Sequence, residues 1–408
     1  MNEFAAQHSI LIVVLPKVVV LLFVLLTALA YLTWFERKVV AHIQSRWGPY
    51  RVGPHGLLQP LADGLKFLFK EDVTPAGADK FTYFLAPFLS LSLAITSIAV
   101  IPFGPKDFTV FGQSTPLAIT NLNIGLLILF AITSMGVYGV ALAGWSSNSK
   151  YSLLGGLRSS AQMISYELTL TMSVVGVILM AGTFNLSDIV QAQQGFYLGF
   201  LPRWNLIGAP FPQVIGFFLF FTAAVAETNR APFDLVEAEQ ELVGGFHTEY
   251  ASFKFAMFFM AEYSSMITVS CLATILFFGG WLSPFPQTGI WTWTHYIPSA
   301  VFAIAGVALI IHGVRYLTIL GRVVLPVLGL VLCALAVLFA MPGVPDFVQG
   351  PFWFLLKIAI FIFVYVWLRG TLPRFRYDRL MTFGWKVLLP LSILNVVITS
   401  LAIVLAQK

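Results

Sequence analysis

Long apolar runs alternate with short polar segments along this chain. Ten runs are nearly free of charge and, at about 20 residues each, are long enough to cross a bilayer as helices. They cover approximately residues 10–34, 81–103, 122–143, 159–181, 212–228, 252–279, 298–317, 323–341, 352–369 and 385–406. The pattern therefore predicts an all-α, polytopic bundle of about ten transmembrane helices.

The distribution of positive charge predicts how the bundle is oriented. The first run follows no positively charged region and is too long for a cleaved signal, so we expect it to be retained as a span. Most of the 23 Lys and Arg residues fall on one side if the chain starts outside. Apart from residues within or beside spans, the loops and tail of the other side keep only Lys106, Arg203 and Lys408. Because positive charge stays on the cytoplasmic side, both termini are predicted to be periplasmic.

The longest polar segment, residues 36–80, is not a simple linker. Trp47 begins the string WGPYRVGP, whose Gly and Pro residues predict a fixed non-helical turn. After it, apolar and polar residues alternate with helical spacing, which predicts an amphipathic helix lying along the membrane interface. Such a helix, which includes Asp63 and Phe67, could wall a cavity for a lipid-like molecule.

Composition supports an integral membrane protein and excludes several other classes. The chain has 408 residues, of which 58% are hydrophobic and 10% charged, and it shows no internal repeat or soluble domain. We therefore expect a single membrane domain over residues 1–408. The net charge of +5 reflects topology and lipid headgroups rather than nucleic-acid binding.

Motifs for bound metals, haem or nucleotides are missing from the sequence. The two cysteines, Cys271 and Cys333, lie in separate predicted spans and form no CxxC pair. The six histidines lack the spacing of a bis-histidine haem site, and no Walker, dinucleotide-binding or HExxH string occurs. We therefore expect no metal held by this chain alone and no complete enzyme.

The most informative segment is residues 226–250, which reads AETNRAPFDLVEAEQELVGGFHTEY and lies between two apolar runs. It holds six of the 18 acids of the chain. Asp234, Glu237 and Glu241 would share one face of a helix, with Glu239 pointing elsewhere. Like charges this close raise the pKa values of some carboxyls, which suits groups that load and release protons. The alternative is a solvated acidic loop that binds a basic partner surface.

Four further ionisable residues lie inside predicted spans: Glu167, Glu227, Glu262 and Lys357. A charge at this depth faces the bundle interior, water or a partner, because lipid exposure is unfavourable. Together the four could form a buried polar file for protons or cations. Each could also make only a structural hydrogen bond or ion pair.

At the inner end of the first span, Glu36 precedes Arg37 and Lys38. Lys38 suits an anchor whose amine reaches the headgroups. Arg37 and Arg46 could instead donate hydrogen bonds near a cavity mouth, to a carbonyl or to the acids of the 234–241 segment.

Several strings, taken in order, resemble one known family, the H subunit of bacterial proton-pumping NADH:quinone oxidoreductase, which corresponds to subunit 1 of mitochondrial complex I. They are ERKV from Glu36, RWGP from Arg46, GPHGLLQPLAD from Gly53, FKED from Phe69, AETNRAPFD from Ala226, EAEQELV from Glu237, FMAEY from Phe259 and PRFRYD from Pro373. They cover residues 31–280 and 352–390.

The resemblance implies a subunit that forms a quinone chamber with the peripheral arm and links quinone reduction to proton translocation. It implies ubiquinone or menaquinone as substrate, with flavin and iron–sulfur clusters in partner subunits. The proton path would comprise Glu167, Glu227, Asp234, Glu237, Glu239, Glu241, Glu262 and Lys357. The chamber would include Glu36, Arg37, Arg46, Trp47, Asp63, Phe67, Arg230 and Phe233.

The sequence departs from the family at one place and leaves two alternatives. The usual form of the family has eight spans, so residues 298–341 are predicted to be an inserted transmembrane hairpin, packed peripherally against lipid. Membrane-bound hydrogenases use a homologous subunit, although the strings above match the quinone-linked form better. A secondary transporter is the other alternative, but the repeated halves expected of that class are not visible.

Overall fold

Helices make up most of the structure. The computed structural model describes residues 14–105, 108–110, 113–115, 117–234, 244–286, 289–316, 318–341 and 345–407. The helices are α1 Leu15–Ile43, α2 Gln59–Phe69, α3 Lys80–Ile98, α4 Gly125–Ser146, α5 Lys150–Ala181, α6 Leu186–Ala192, α7 Val214–Glu227, α8 Ser252–Phe277, α9 Ile297–Val314, α10 Ile319–Ala340, α11 Pro345–Thr371, α12 Tyr377–Phe383 and α13 Leu389–Ala406. A π-helical turn, Gly384–Leu388, joins α12 to α13.

The predicted all-α membrane bundle is confirmed. Among the described residues, nine helical segments are long and apolar enough to cross a membrane. The tenth predicted span corresponds to α7, which has only 14 residues. In the described ranges, short antiparallel strands occur in two loops, with β1 Phe108–Val110 paired to β2 Gln113–Thr115 and β3 Phe196–Tyr197 paired to β4 Leu201–Pro202.

Several helices extend beyond the apolar runs that predicted them. Helix α1 continues to Ile43 and α5 begins at Lys150, about nine residues outside the predicted limits. Glu, Arg and Lys are good helix formers, so a helix need not end where the apolar pattern does. As a result Glu36 lies inside α1, where it is buried.

The polar segment after α1 folds as its Gly and Pro residues predict. It contains a short 3₁₀ turn, Pro54–Gly56, and both Gly53 and His55 have positive φ angles. The amphipathic helix α2 follows and buries none of its own residues. It is attached to the start of α8, where the Ser252 hydroxyl donates to the carbonyls of Phe67 at 2.8 Å and Lys70 at 3.0 Å.

The core lies around α8, whose residues from Thr268 to Phe277 are all buried. Large side chains of neighbouring helices pack there, including Tyr166 of α5, Phe220 of α7 and Phe354 of α11. A smaller cluster joins Tyr83 of α3 with Phe246, Tyr250 and Phe258. The large cluster thus joins side chains of α1, α7, α8 and α11.

Helices α9 and α10 pack closely against each other. An added Cβ at Gly306 would lie 2.7 Å from the Gly329 carbonyl oxygen, so the two backbones approach at these glycines. Few residues of either helix are buried, and their other faces carry exposed Ile, Val and Leu. That the pair is an insertion facing lipid stays a prediction.

Candidate functional site

A buried carboxylate, Glu36, joins residues from three other parts of the chain. Its Oε2 accepts a hydrogen bond from the Tyr263 hydroxyl of α8 at 2.7 Å. Its Oε1 lies 3.4 Å from Arg230 Nη1, after α7, and also pairs with Arg369 of α11. The Glu36 side chain is only 7% exposed, so these partners take the place of water around its charge.

Arg230 extends this cluster toward a second acid. Its Nε lies 3.5 Å from Glu262 Oε1, and its guanidinium lies 4.2 Å from the centre of the Tyr263 ring. Burial opposes the charge on Arg230, but attraction to Glu262 and Glu36 outweighs it and raises the pKa of Arg230 above its ordinary value. The guanidinium therefore stays positive between two carboxylates.

Glu262 also lines an internal cavity, together with Glu227, Asp234, Ser265 and His247. The cavity has a volume of about 100 Å³. Several waters fit in that space, since one water needs only about 10–15 Å³. Most of the lining is apolar, so the carboxyls of Glu262, Glu227 and Asp234 are among its few polar groups.

Two more acids continue from this cavity into the bundle. Glu227, the last residue of α7, has a buried Oε2 with no hydrogen-bond partner among the described residues. Such an oxygen is expected to carry a proton or to bind water. Glu167 lies close enough for its charge to act on Glu227, and its Oε1 accepts a hydrogen bond from the Ser134 hydroxyl. Glu262 and Glu227 thus line one cavity, and Glu167 lies near Glu227; we call these three residues the acid series.

Contacts with α5 and with the residues after α11 hold the start of the acidic segment in place. Asp234 Oδ2 lies 3.4 Å from Arg374 Nη2, and the Phe233 ring stacks on Phe375 at 5.4 Å. The Gln162 amide donates to the carbonyls of Ala226 at 2.8 Å and Phe233 at 2.9 Å. The predicted helical face of Glu237 and Glu241, and the opposed Glu239, lie outside the described residues.

The other predicted chamber residues lie at the surface around α2. Arg37 forms an ion pair with Asp63 at 2.7 Å, which joins α1 to α2, and its side chain is 54% exposed. Arg46 donates to Gln44 at 2.7 Å and Trp47 is 82% exposed. Phe67 contacts Phe255 of α8, with ring centres 6.4 Å apart. Arg46 therefore forms its hydrogen bond within its own turn. Asp234, an acid to which Arg37 or Arg46 was predicted to donate, forms an ion pair with Arg374.

Lys357 belongs to a different part of the structure. Its amine donates to the carbonyls of Phe278 at 2.7 Å, Gly280 at 2.9 Å and Leu282 at 2.7 Å, and lies 4.5 Å from the centre of a Trp204 ring. The three carbonyls follow the C-terminal end of α8, whereas Glu262 lies in the first half of that helix. The described contacts therefore do not join Lys357 to the acid series, and its place on the proton path stays a prediction.

Sequence reasoning missed four residues that hold this site together: Tyr263, Arg369, Arg374 and Ser134. Tyr263 stands next to Glu262 in the FMAEY string, and Arg374 belongs to the PRFRYD string. Arg369 ends an apolar run and looks like an interfacial anchor in the sequence. Its partner Glu36 is 333 positions away, a distance that no local pattern bridges.

The fold and this site define a class of protein: a polytopic helical membrane protein whose interior carries several carboxyls, two of which pair with the buried Arg230. A family model described as NADH dehydrogenase matches residues 16–400. The NADH-quinone oxidoreductase H subunit 1 of Solibacter usitatus is 51% identical over 400 residues, covering 98% of this chain and 99% of that protein.

Two further relatives carry the same name. The H subunit 2 of Koribacter versatilis is 51% identical, with 97% of this chain and 98% of the relative covered. The H subunit of Thermomicrobium roseum is 46% identical, with 94% and 93% covered. The chain belongs to the family of NADH-quinone oxidoreductase H subunits, and is thus a multi-pass membrane component of that enzyme complex.

Proposed function

We propose that this subunit forms a quinone-binding chamber with peripheral-arm subunits and transmits the charge of quinone reduction to the acid series. The chamber side comprises Glu36, Arg37, Arg46, Trp47, Asp63, Phe67, Arg230 and Phe233. The series runs from Glu262 through Glu227 to Glu167, with Asp234, Glu237, Glu239 and Glu241 at its loop. Electrons reach the quinone from flavin and iron–sulfur clusters in partner subunits.

The observation that carries this proposal is the double contact of Arg230. One side of its guanidinium meets Glu36 in the cluster of α1, α8 and α11, and the other meets Glu262 at the cavity. A new charge or proton near Glu36 changes how strongly Arg230 is held at Glu36, and therefore how closely its guanidinium approaches Glu262 and stabilises the charge there. At an effective dielectric constant near 20, two charges 4 Å apart interact by about 4 kcal/mol. A change of that size is enough to move a proton along the series.

The proposal extends to location and partners. The protein resides in the bacterial inner membrane, with the Glu36 cluster toward the cytoplasm and both termini toward the periplasm. Helix α2 and the exposed turn around Trp47 face the peripheral arm, while other membrane-arm subunits receive the signal from the Glu167 end. The quinone, ubiquinone or menaquinone, is the substrate.

The test uses the complete complex, purified through a tag on this chain. Glu227→Gln and Glu167→Gln keep side-chain size but remove a titratable carboxyl. We expect each to lower quinone-coupled proton pumping at least several-fold, while NADH oxidation by a water-soluble artificial acceptor is kept. Quinone reduction and proton uptake are measured in the same proteoliposomes.

A surface acid provides the matched control. Asp378 is 75% exposed, so Asp378→Asn is expected to leave pumping unchanged. Normal pumping in both Glu227→Gln and Glu167→Gln would contradict the proposal. A complex that is inactive with NADH but oxidises or evolves hydrogen would assign the chain to the hydrogenase relatives.

A further inference from the structure

Two histidines from distant parts of the chain meet at the inner end of the α9–α10 pair. His55 Nε2 lies 2.7 Å from His312 Nε2, and the two rings are stacked with centres 4.9 Å apart. His55 belongs to the 3₁₀ turn after α1, and His312 to the last turn of α9. This contact joins α9 and α10 to the turn that contains Arg46 and Trp47.

His55 is held from two sides besides this contact. Its backbone N–H donates to the Tyr316 hydroxyl at 3.0 Å, and its carbonyl accepts from Trp34 Nε1 at 3.2 Å. Tyr316 is buried, and its own carbonyl accepts from Arg322 Nε of α10 at 2.7 Å. The backbone at His55, which has a φ of +52°, is therefore fixed between α1 and the α9–α10 connection.

We propose that His55 and His312 form a protonation-dependent link by which α9 and α10 hold the turn of residues 46–58 in place. A hydrogen bond between two imidazoles needs one N–H donor and one free lone pair. When both rings are protonated, two N–H groups face each other and two positive charges repel. The link then cannot form, so the turn is held at neutral pH and released in acid.

The charged surroundings of His55 favour its neutral form. Among the described residues, Lys38 of α1, Tyr50 of the same turn, and His312 and Tyr316 of the α9 side are the titratable groups near it. Burial lowers the pKa of His55 below its ordinary value, and His312 and Lys38 lower it further. The linked state thus binds this proton less tightly than the released state, and the link weakens as pH falls below about 6.5.

The effect of this link on quinone binding rests on the function proposed above. Arg46 and Trp47 lie on the turn that the link restrains, so His312 is a positioning residue for that part of the chamber. Release of the turn is expected to raise the KM for quinone more than it lowers kcat.

Hydrogen–deuterium exchange of the purified complex tests the link directly. Peptides from residues 46–58 are followed at pH 7.5 and 5.5, with labelling times scaled for the slower intrinsic exchange in acid. In His312→Ala we expect exchange at pH 7.5 to rise several-fold, to the level of the unmodified complex at pH 5.5. His312→Gln can donate or accept but cannot be charged, so it is expected to keep the turn protected at both pH values.

His295→Ala serves as the control, because it removes an imidazole near the opposite end of α9. Two results would overturn the link: unchanged exchange in His312→Ala at pH 7.5, or equal protection of the unmodified complex at both pH values. If His312→Ala prevents assembly, the pH comparison and His312→Gln still decide. If the exchange results hold but the KM for quinone stays normal in His312→Ala and Arg46→Ala, the link stands and the chamber proposal fails.

Discussion

Two acids and two arginines balance each other in a cluster whose centre, Glu36 and Arg230, is buried. Glu36 and Glu262 carry the negative charges, and Arg230 and Arg369 carry the positive ones. Burying such charges is costly, so this cluster is weak as a source of stability. The cluster is instead sensitive to any change in its net charge, because removing or adding one charge leaves another buried without compensation.

Replacing Glu36 by Gln removes one member of this balance. Arg230 and Arg369 then lose the carboxylate that they share, and because Arg230 is buried we expect this to destabilise the subunit by about 3–5 kcal/mol. Thermal inactivation of the purified complex and its amount in membranes measure this effect. The double variant Glu36→Gln with Arg369→Gln restores the balance and is expected to recover much of the loss.

An exposed ion pair gives the comparison for Glu36. Asp63→Asn breaks the ion pair with Arg37. Because ion pairs at a protein surface contribute little to stability, we expect this change to destabilise the subunit by only about 0–1 kcal/mol. Equal losses in Glu36→Gln and Asp63→Asn would show that the buried cluster has no special weight.

At the scale of elements, the acid series depends on how closely α4 and α5 approach. These helices carry Ser134 and Glu167, whose side chains meet between them. An added Cβ at Gly144 of α4 would lie 2.8 Å from the Ser152 carbonyl oxygen and 3.1 Å from Gly156 Cα, both in α5. Only glycine allows this approach, because those atoms belong to backbone that cannot rotate away.

Gly144→Ala is therefore expected to push α5 away and to destabilise the subunit by about 1–3 kcal/mol. Gly136 of the same helix is the matched control, since an added Cβ there meets no atom within 4 Å. Gly136→Ala should be neutral or stabilising, by up to about 1 kcal/mol, because alanine favours the helix. Thermal inactivation of the two complexes is compared, and similar behaviour would contradict this account of the packing.

At the scale of the whole molecule, the orientation can be tested with introduced cysteines. Ala76 and Phe200 are exposed and lie in loops that we propose to face the cytoplasm and the periplasm. A membrane-impermeant thiol reagent added to intact cells is expected to label Phe200→Cys at once, and Ala76→Cys only after permeabilisation. Cys271 is buried but Cys333 is half-buried, so labelling of the chain without introduced cysteines gives the background. The reverse labelling pattern would invert the orientation.

The membrane architecture could be predicted because hydropathy reports length and polarity directly. The same pattern marked Glu167, Glu227 and Glu262 as acids at unusual depth, and two of them, Glu227 and Glu262, line the same cavity. It could not show that Lys357 meets three carbonyls beyond α8, because those partners are backbone groups without a sequence signature. Nor could it pair Glu36 with Arg369 or His55 with His312, since these contacts depend on tertiary packing.

The shortness of α7 has a consequence for the membrane voltage. Its 14 residues extend only about 21 Å, whereas the hydrocarbon layer is about 30 Å thick. With the start of the helix at one boundary, Glu227 lies roughly a third of the layer inside the other. Moving one elementary charge across the whole membrane changes its electrostatic energy by about 2.3 kcal/mol per 100 mV of membrane potential. A proton that travels a third of this distance to reach Glu227 therefore gains or loses about 0.7 kcal/mol per 100 mV. Loading of this carboxyl would then depend on the energised state of the cell.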